Sequence, residues 1–477
     1  MEILDEYGNV KITKKAGQVI PTYEIGPYGF TDAEKELLSH YDKLLTDMEL
    51  DAIRKQPDVG LRKDIITQYL QDKIPKTKNK DNLIKSIINR VLGYGDLSPL
   101  VDDADLEEIM VNGVNLPVFV FHRRFGMCRT NLVFTEKTDI FRIVNRLCWI
   151  HNKELKPIID LSTIDGSRAN ITLDPIALHG PTITMRKQKK HFFTVVELME
   201  MGTFDVNLAA LLWLAVDGMR LNPANFLVCG SIGSGKTTTL NAFAMLSPPE
   251  ERILTIEETP ELRLDGKENW IPLTCMGTEY DMEALVRNTL RMRPNKIIIG
   301  EVRGKEAMAL FNAMNVGHKG MCTMHSSSSR EVIHRLNSPP MNVPNMIIAN
   351  LDLIVIQNVF HYHGKPIRRI TEVVEVGGME GDKVLLGTIY EWDPMKDKVA
   401  KDETTSPTTF LDKLASKIRA KKKDVVAELD RRRMVLNTLM EHKIKSHDDV
   451  LRAVNTFYRE EQDFDNAIRS IDKEETK

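Results

Sequence analysis

A run of glycines and small polar residues, CGSIGSGKTTTL at 229–240, follows the short apolar stretch FLVCG. It matches the pattern GxxxxGK[ST], in which glycines let backbone N–H groups approach phosphate oxygens without Cβ clashes. The helix expected next adds partial positive charge at its N-terminus. We therefore predict a loop where Lys236 reaches the β- and γ-phosphates of ATP and the Thr237 hydroxyl ligates Mg²⁺. The predicted nucleotide-binding residues are Gly230, Ser231, Ile232, Gly233, Ser234, Gly235, Lys236, Thr237 and Thr238.

Two further apolar runs end in carboxylates. IIIGEVRG places Glu301 after three isoleucines, and ILTIEETPELRL places Glu257 and Glu258 at a second strand end. A carboxylate there can hold the Mg²⁺ shell or orient the attacking water. Gly300 stands where many phosphate-loop enzymes have Asp, so we expect Thr237 to be the direct metal ligand and Glu301 to act through water. The alternative is a solvated charge at a strand end, and it is stronger for the Glu257 pair.

Histidines and arginines form a third group of candidates. GHKGMCTMHSSSS places His318 and His325 seven residues apart around an apolar, strand-like run. Imidazole can contact a γ-phosphate or relay its loss, although such histidines are more often structural. Arg168 and Arg186 lie upstream, and an arginine from another domain or subunit can stabilise phosphoryl-transfer charge. Each alone also fits a surface ion pair.

The surrounding patterns predict how these residues are positioned. Strand–helix alternation from about residue 194 indicates an α/β core with a parallel sheet. Short β-rich runs mixed with amphipathic helices indicate an α+β domain before it. The predicted regions are a helical or variable extension at 1–80, the α+β domain at 83–190, the phosphate-loop domain at 194–400 and a charged helical region at 401–477. Within the first region, 31–50 is a predicted helix with a capping box of Thr31 and Glu34.

Composition narrows the function classes. The chain has 477 residues, a formal charge of −3 and five cysteines without CxxC spacing. It is therefore not a nucleic-acid-coating polycation, and we expect neither a disulfide framework nor a zinc site, but a reducing compartment. No N-terminal signal pattern is visible, and no run approaches the roughly 20 apolar residues of a membrane-spanning helix. Any membrane role is expected to be peripheral and to use a partner.

The four motifs occur in an order and spacing that resemble the type II/type IV secretion ATPase superfamily. The resemblance covers roughly residues 85–380 and includes GYGDLSPLVDDADLEEIMVNG and DGSRANITLD upstream. The family's boxes map to Gly230–Thr237 (Walker A), Glu257–Glu258 (acidic box), Ile297–Glu301 (Walker B) and His318–His325 (His box). The C-terminal half looks most like the archaeal branch that contains the archaellum motor ATPase. Two departures are Glu258, where relatives often have Asp, and SSSS, where close archaeal relatives tend to have Ala-Asp-Ser.

This resemblance implies a PAS-like N-terminal domain, a RecA-like ATPase domain and a ring, usually hexameric. It implies Glu301 as the catalytic glutamate, Glu257 as a carboxylate beside Mg²⁺ and water, and His318 and His325 as γ-phosphate sensors. Arg168 and Arg186 would reach the nucleotide from the N-terminal domain. The implied role is a cytoplasmic ATPase at the membrane that works on a platform protein of an archaellum, pilus or secretion machine.

Two other functions stay open. One is nucleic-acid translocation, since some ring ATPases move nucleic acid, and basic runs such as 419–423 are compatible with it. The near-neutral composition and the lack of an aromatic–basic platform weigh against this function. A nucleotide-gated scaffold would bind ATP without turnover, and the intact Lys236, Thr237 and Glu301 argue against it. The sequence does not identify the machine, the direction of work or the platform partner.

Overall fold

The structure is a computed structural model that describes residues 2–26, 31–40, 59–151, 153–163, 166–188, 191–276, 278–362, 365–402 and 409–459. The chain divides into two compact units, Met1–Lys190 and His191–Lys477. No helix within these ranges is both long enough and apolar enough to cross a membrane.

The first unit combines one sheet, which shares its core with two helices, and three further helices that form an apolar cluster of their own. Its strands are β1 (Glu2–Tyr7), β2 (Val10–Lys14), β3 (Thr22–Ile25), β4 (Leu106–Val111), β5 (Pro117–His122), β6 (Gly126–Val133), β7 (Ile158–Ser162), β8 (Arg168–Thr172) and β9 (Thr182–Arg186). Its helices are α1 (Asp32–Ser39), α2 (Val59–Lys73), α3 (Lys80–Val91), α4 (Ser98–Asp102) and α5 (Lys137–Ile150). The strand order is β1-β2-β3-β6-β5-β4-β9-β8-β7, and alternate residues of the central strands face the core.

The N-terminal extension contributes strands as well as helices. We expected 1–80 to be helical or variable, but β1–β3 form a meander whose third strand pairs with β6. Ile12 and Tyr23 bury their side chains in the core of the unit, so β2 and β3 are integral parts of the sheet. The predicted capping box is confirmed, because Glu34 N donates to Thr31 Oγ1 and Thr31 N donates to the Glu34 carboxylate. The rest of the helix predicted at 31–50 lies outside the described residues.

The second unit contains the phosphate-loop pattern. Its strands are β10 (Phe226–Gly230), β11 (Ile253–Glu257), β12 (Trp270–Thr274), β13 (Lys296–Val302), β14 (Lys319–His325), β15 (Leu353–Tyr362), β16 (Lys365–Glu380), β17 (Lys383–Asp393) and β18 (Lys398–Asp402). Its helices are α6 (Val195–Glu200), α7 (Val206–Asp217), α8 (Lys236–Ala244), α9 (Met282–Thr289), α10 (Glu306–Asn315), α11 (Ser329–Asn337), α12 (Asn345–Ile348), α13 (Thr409–Lys417), α14 (Lys422–Glu441) and α15 (His447–Arg459).

These strands form a mixed sheet in the order β12-β11-β13-β14-β10-β15-β16-β17-β18. The predicted parallel sheet is present from β12 to β15, and helices connect its strands except between β11 and β12, where residues 258–269 form a loop. Strands β16–β18 then extend it as an antiparallel meander, which the sequence reading did not separate from the parallel part. Short turns join these last strands, and a short turn can only return a strand antiparallel to its neighbour.

The charged C-terminal region is part of the core of the second unit. Its charged composition is typical of solvated helices, but Arg432, in the arginine run at 431–433, is 2% exposed. Its guanidinium pairs with the buried Asp217 at the end of α7 and with Glu428, 2.7 Å away. The Tyr458 hydroxyl donates to the Asp217 carboxylate and accepts from Trp213 Nε1. Helix α7 is apolar on all sides because this region covers it.

Candidate nucleotide-binding site

The carboxyl ends of the parallel strands bring most of the predicted residues to one edge of the sheet. Gly230, the last residue of β10, lies in register with His325 of β14 and Gln357 of β15. Strand β13, which carries Glu301, pairs with β14 and with β11, which ends in Glu257. Ligands bind outside this edge in open α/β sheets.

The predicted phosphate loop connects β10 to α8. Gly233 and Gly235 have φ values of 74° and 94°, which non-glycine residues rarely adopt. Lys236 is the first residue of α8, and its Nζ donates to Ser231 O within the loop at 3.0 Å. Burial lowers the pKa of Lys236, and the nearby Glu301 carboxylate partly opposes that shift. The loop thus combines free backbone N–H groups, a helix N-terminus and a lysine, a set suited to a polyphosphate.

Glu301 lies at an irregularity of β13. The register with β14 shifts between Ile299 and Val302, so Gly300 and Glu301 form a bulge. The Glu301 carboxylate accepts from the Arg303 guanidinium at 2.6 Å, and that hydrogen bond raises the pKa of Arg303. Bulges redirect side chains beside active sites, and the Glu301 carboxylate is near enough to Lys236 to oppose the lowering of the pKa of that lysine.

Glu257 is buried behind this position. Its carboxylate accepts from the backbone N–H of Glu261 at 3.0 Å and of Leu262 at 3.1 Å. Burial raises its pKa to about 7, although these two hydrogen bonds act in the opposite direction. A Cβ at position 300 would lie 2.8 Å from both Cγ and Oε1 of Glu257. Gly300 therefore replaces the Asp of many phosphate-loop enzymes because the Glu257 side chain already fills that space.

The two histidines of the His box lie at opposite ends of β14. His325 ends the strand next to Gly230, and Ser326 N donates to Gly230 O at 3.3 Å. His318 precedes the first residue of the strand. Seven strand residues at about 3.3 Å each separate them by roughly 20 Å. The structure thus brings His325 to the phosphate loop and does not bring His318 there, so a direct γ-phosphate contact from His318 within the chain is ruled out by the strand length.

Arg168 and Arg186 belong to the first unit. They are directly paired residues of β8 and β9, and both side chains are exposed. Arg168 lies 3.7 Å from the Asp160 carboxylate, an ion pair of little energetic weight because it is solvated. The adjacent guanidinium groups form a small cationic surface on the sheet of that unit.

Three contacts at the site were not predicted from the sequence. Gln357 Nε2 donates to Ser234 O at 2.8 Å, and Arg368 Nε donates to Gly233 O at 2.9 Å. Arg303 pairs with Glu301. Gln357 had a visible signal, since it is a polar residue that follows the apolar run LIVI at a strand end. Arg368 and Arg303 are charged residues among many, and only the fold places them beside the loop.

The donor set fits Mg²⁺ better than it fits a softer metal. Thr237 follows Lys236 in the first turn of α8 and offers a hydroxyl, while Glu301 offers a carboxylate, and hard oxygen ligands suit Mg²⁺. Glu257 is less suited, because both its oxygens already accept backbone N–H groups. No group of three or more His, Cys, Asp or Glu side chains in the described ranges could hold a metal by itself. The site thus fits a metal bound together with phosphates.

Comparisons with protein families and with known proteins indicate the same family. The family model described as type II/IV secretion system protein matches residues 162–386. An uncharacterised protein of Methanocaldococcus jannaschii is 40% identical over 67% of this chain, which spans 46% of that relative's length. A putative conjugal transfer protein of Mycobacterium tuberculosis is 30% identical over 54% of this chain and 75% of its own length.

Among solved structures, the pilus retraction motor PilT with bound ADP covers 75% of this chain and 96% of its own at 16% identity, with a TM-score of 0.47. That score is too low for any argument from geometry. The family model and the sequence relatives carry the assignment: the chain belongs to the type II/IV secretion system protein family.

Proposed function

We propose that this chain is an ATPase that hydrolyses MgATP to drive a type II/IV secretion-like machine. One observation carries the proposal: the phosphate loop, Glu301 and His325 converge at the carboxyl edge of one parallel sheet. Glycine backbone and a helix N-terminus can bind phosphates alone, but a glutamate at the same edge of the sheet adds what hydrolysis needs. A site for binding alone would not require that carboxylate.

Each residue has a role in this proposal. The backbone N–H groups of 231–237 and the Lys236 ammonium bind the β- and γ-phosphates, which requires Lys236 to leave Ser231 O. Mg²⁺, when bound with the nucleotide, would neutralise phosphate charge, with Thr237 as its protein ligand and Glu301 in its water shell. Glu301 orients the attacking water after its contact with Arg303 loosens. His325 responds to loss of the γ-phosphate beside Gly230.

The motor function extends the same proposal to the whole chain. The α+β domain at 83–190 supplies Arg168 and Arg186 to the nucleotide of the ATPase domain at 194–400, in the same chain or in a neighbour. Six subunits form a ring, and nucleotide-dependent domain movements act on a membrane platform protein from the cytoplasmic side. The region 1–80 and the C-terminal helices then provide surfaces for the machine. Membership of the secretion family supports this reading and does not select between archaellum, pilus and secretion complex.

The test is phosphate release by the full chain, with particle mass measured by light scattering with and without ATP. We expect turnover, and a hexamer that ATP promotes. A strictly monomeric chain that turns over at full rate contradicts the ring. Turnover stimulated by DNA, with steeply salt-dependent DNA binding, would instead favour the nucleic-acid translocase. ATP binding without any turnover would favour the scaffold.

A further inference from the structure

Two side chains from the neighbouring strands β15 and β16 donate hydrogen bonds to backbone carbonyls of the phosphate loop. Gln357 of β15 donates its Nε2 to Ser234 O at 2.8 Å. Arg368 of β16 donates its Nε to Gly233 O at 2.9 Å. These carbonyls are consecutive, so the two hydrogen bonds hold two successive peptide units of the loop.

The glycines of the loop make such support necessary. Gly233 and Gly235 both have positive φ and no side chain, so packing does little to fix the loop. A Cβ on Gly235 would lie 3.1 Å from Gln357 Nε2 and 3.3 Å from Arg368 Cδ. Both side chains therefore pack directly against the residue that precedes Lys236, and any movement of either displaces the start of α8.

Gln357 occupies a costly position for a purely structural residue. It is 1% exposed, and its Oε1 is buried without a hydrogen-bond partner. An unpaired buried acceptor is unfavourable, and an apolar residue there would continue the preceding LIVI run at lower cost. The amide orientation is fixed, because the reverse orientation would place Oε1 against Ser234 O. The gain that offsets this cost is the hydrogen bond to the loop.

Arg368 adds a charge at the same place. It is exposed, and its Nη groups make no hydrogen bond with any residue in the described ranges. The guanidinium therefore does not serve an ion pair of the fold. Its fixed positive charge and its Nε donor both act on the loop that is to hold a polyphosphate.

We propose that Gln357 and Arg368 are positioning residues that keep the phosphate loop open for the nucleotide, an inference that rests on the proposed function. They hold the carbonyls of Gly233 and Ser234 away from the phosphate side, so the loop N–H groups are left to face the ligand. Neither residue needs to touch the nucleotide. Loss of either lets the loop relax and weakens nucleotide binding before it affects the chemical step.

The experiment measures the binding of fluorescent mant-ADP, the melting temperature and ATP turnover on the full chain. The variants are Arg368→Ala, Arg368→Lys, Gln357→Glu and the Gln357→Glu/Arg368→Ala double variant. Lys383→Ala, which removes an exposed cation from the first position of β17, is the matched control. Gln357→Glu keeps the shape of the side chain and replaces its donor by an acceptor facing Ser234 O.

We expect Arg368→Ala and Gln357→Glu each to raise the mant-ADP Kd about tenfold, with KM for ATP rising more than kcat falls. Arg368→Lys keeps a cationic donor and should remain within about threefold of wild type. Because the two residues support adjacent peptide units of the same loop, the double variant should lose less than the product of the single effects. Lys383→Ala should match wild type.

A mant-ADP Kd unchanged within about twofold in Arg368→Ala overturns the proposal, and so does a loss of affinity that only follows a fall in melting temperature. Arg368 is exposed, so this variant stays informative even if Gln357→Glu fails to fold. Wild type that does not bind mant-ADP at all would instead contradict the proposed function. The two failures are therefore distinguishable.

Discussion

At the residue scale, the site depends on how two neighbouring strands, β11 and β13, each place a glutamate near their carboxyl ends. Glu257 is buried and accepts hydrogen bonds from backbone N–H groups, whereas Glu301 is half-buried and near enough to Lys236 to affect the pKa of that lysine. Gly300 separates their roles because it leaves room for the Glu257 side chain. The first carboxyl is thus mainly a positioning group for residues 258–262, and the second is the candidate for catalysis.

Gly300→Ala tests this arrangement. The added Cβ would lie 2.8 Å from Cγ and Oε1 of Glu257, which are held in place by two backbone N–H groups. We expect a loss of about 1–3 kcal/mol in the free energy of unfolding and a clear fall in kcat. Gly377→Ala is the control, since its Cβ would meet its nearest neighbour at 3.4 Å. Wild-type turnover and stability in Gly300→Ala would show that the Glu257 position does not matter.

The phosphate loop and its glutamates could be predicted from sequence because their motifs are local. GxxxxGK[ST] fixes the residue types within eight positions, and an apolar run before Glu301 identifies a buried strand. Gln357 and Arg368 could not be found in this way. They act on residues more than a hundred positions earlier in the chain, and a single Gln or Arg carries no local pattern.

At the scale of elements, the two edges at which the parallel strands of the second unit begin and end carry different groups of polar side chains. The carboxyl edge holds the candidate site. The opposite edge holds a buried polar cluster in which Lys296 Nζ contacts Glu251 at 2.7 Å and the Lys267 ammonium donates to Ser247 O. Strand order and direction follow from the apolar runs only in part: the sequence predicts the strand–helix alternation, but an apolar run looks the same in parallel β15 and antiparallel β16. The position of His318 could not be predicted for the same reason. The motif gives the spacing between the two histidines, but it does not show which end of β14 each of them occupies.

The buried Lys267 should make the free energy of unfolding of the protein depend on pH. Burial, together with the nearby Lys296, lowers its pKa from 10.5 to about 8. A depressed cation pKa means that the stability from this group is full above pH 10.5 and is lost as pH falls through about 8. Between pH 7.5 and 9.5, wild type should therefore gain about 2 kcal/mol relative to Lys267→Met, measured by urea unfolding.

The control for this pH prediction is Lys383→Met, whose side chain is exposed in wild type. It should show no pH-dependent difference from wild type. If the Lys267→Met difference is also constant between pH 7.5 and 9.5, Lys267 has an ordinary pKa in the folded protein.

At the scale of the whole chain, the C-terminal helices belong to the ATPase unit. Asp217, Arg432 and Tyr458 connect α7, α14 and α15 through a buried network. The sequence could not predict it, because an arginine in the run RRR has the appearance of a solvated helix face. The buried stripe of α14 includes Val425, Leu429, Val435 and Leu436, which shows that burial follows the helical period and not the local charge.

Arg432→Met should destabilise the second unit by about 3–5 kcal/mol, because it leaves the Asp217 carboxylate buried without its cation. Adding Asp217→Asn should restore part of that loss, since the uncompensated charge is then removed. Lys423→Met, at an exposed position in the first turn of α14, should have little effect. The free energy of unfolding by denaturant measures all three. Equal stability of Arg432→Met and Lys423→Met would mean that the C-terminal helices are a detachable appendage.

We expect the site at the phosphate loop to hydrolyse ATP through Glu301, and a comparison of three proteins measures this directly. Nucleotide binding and steady-state phosphate release are measured for wild type, Glu301→Gln and the exposed control Glu380→Gln. We predict that Glu301→Gln binds mant-ATP within about threefold of wild type but turns over at least about 100-fold more slowly, while Glu380→Gln matches wild type. If Glu301→Gln turns over ATP at the wild-type rate, Glu301 is not the catalytic carboxylate.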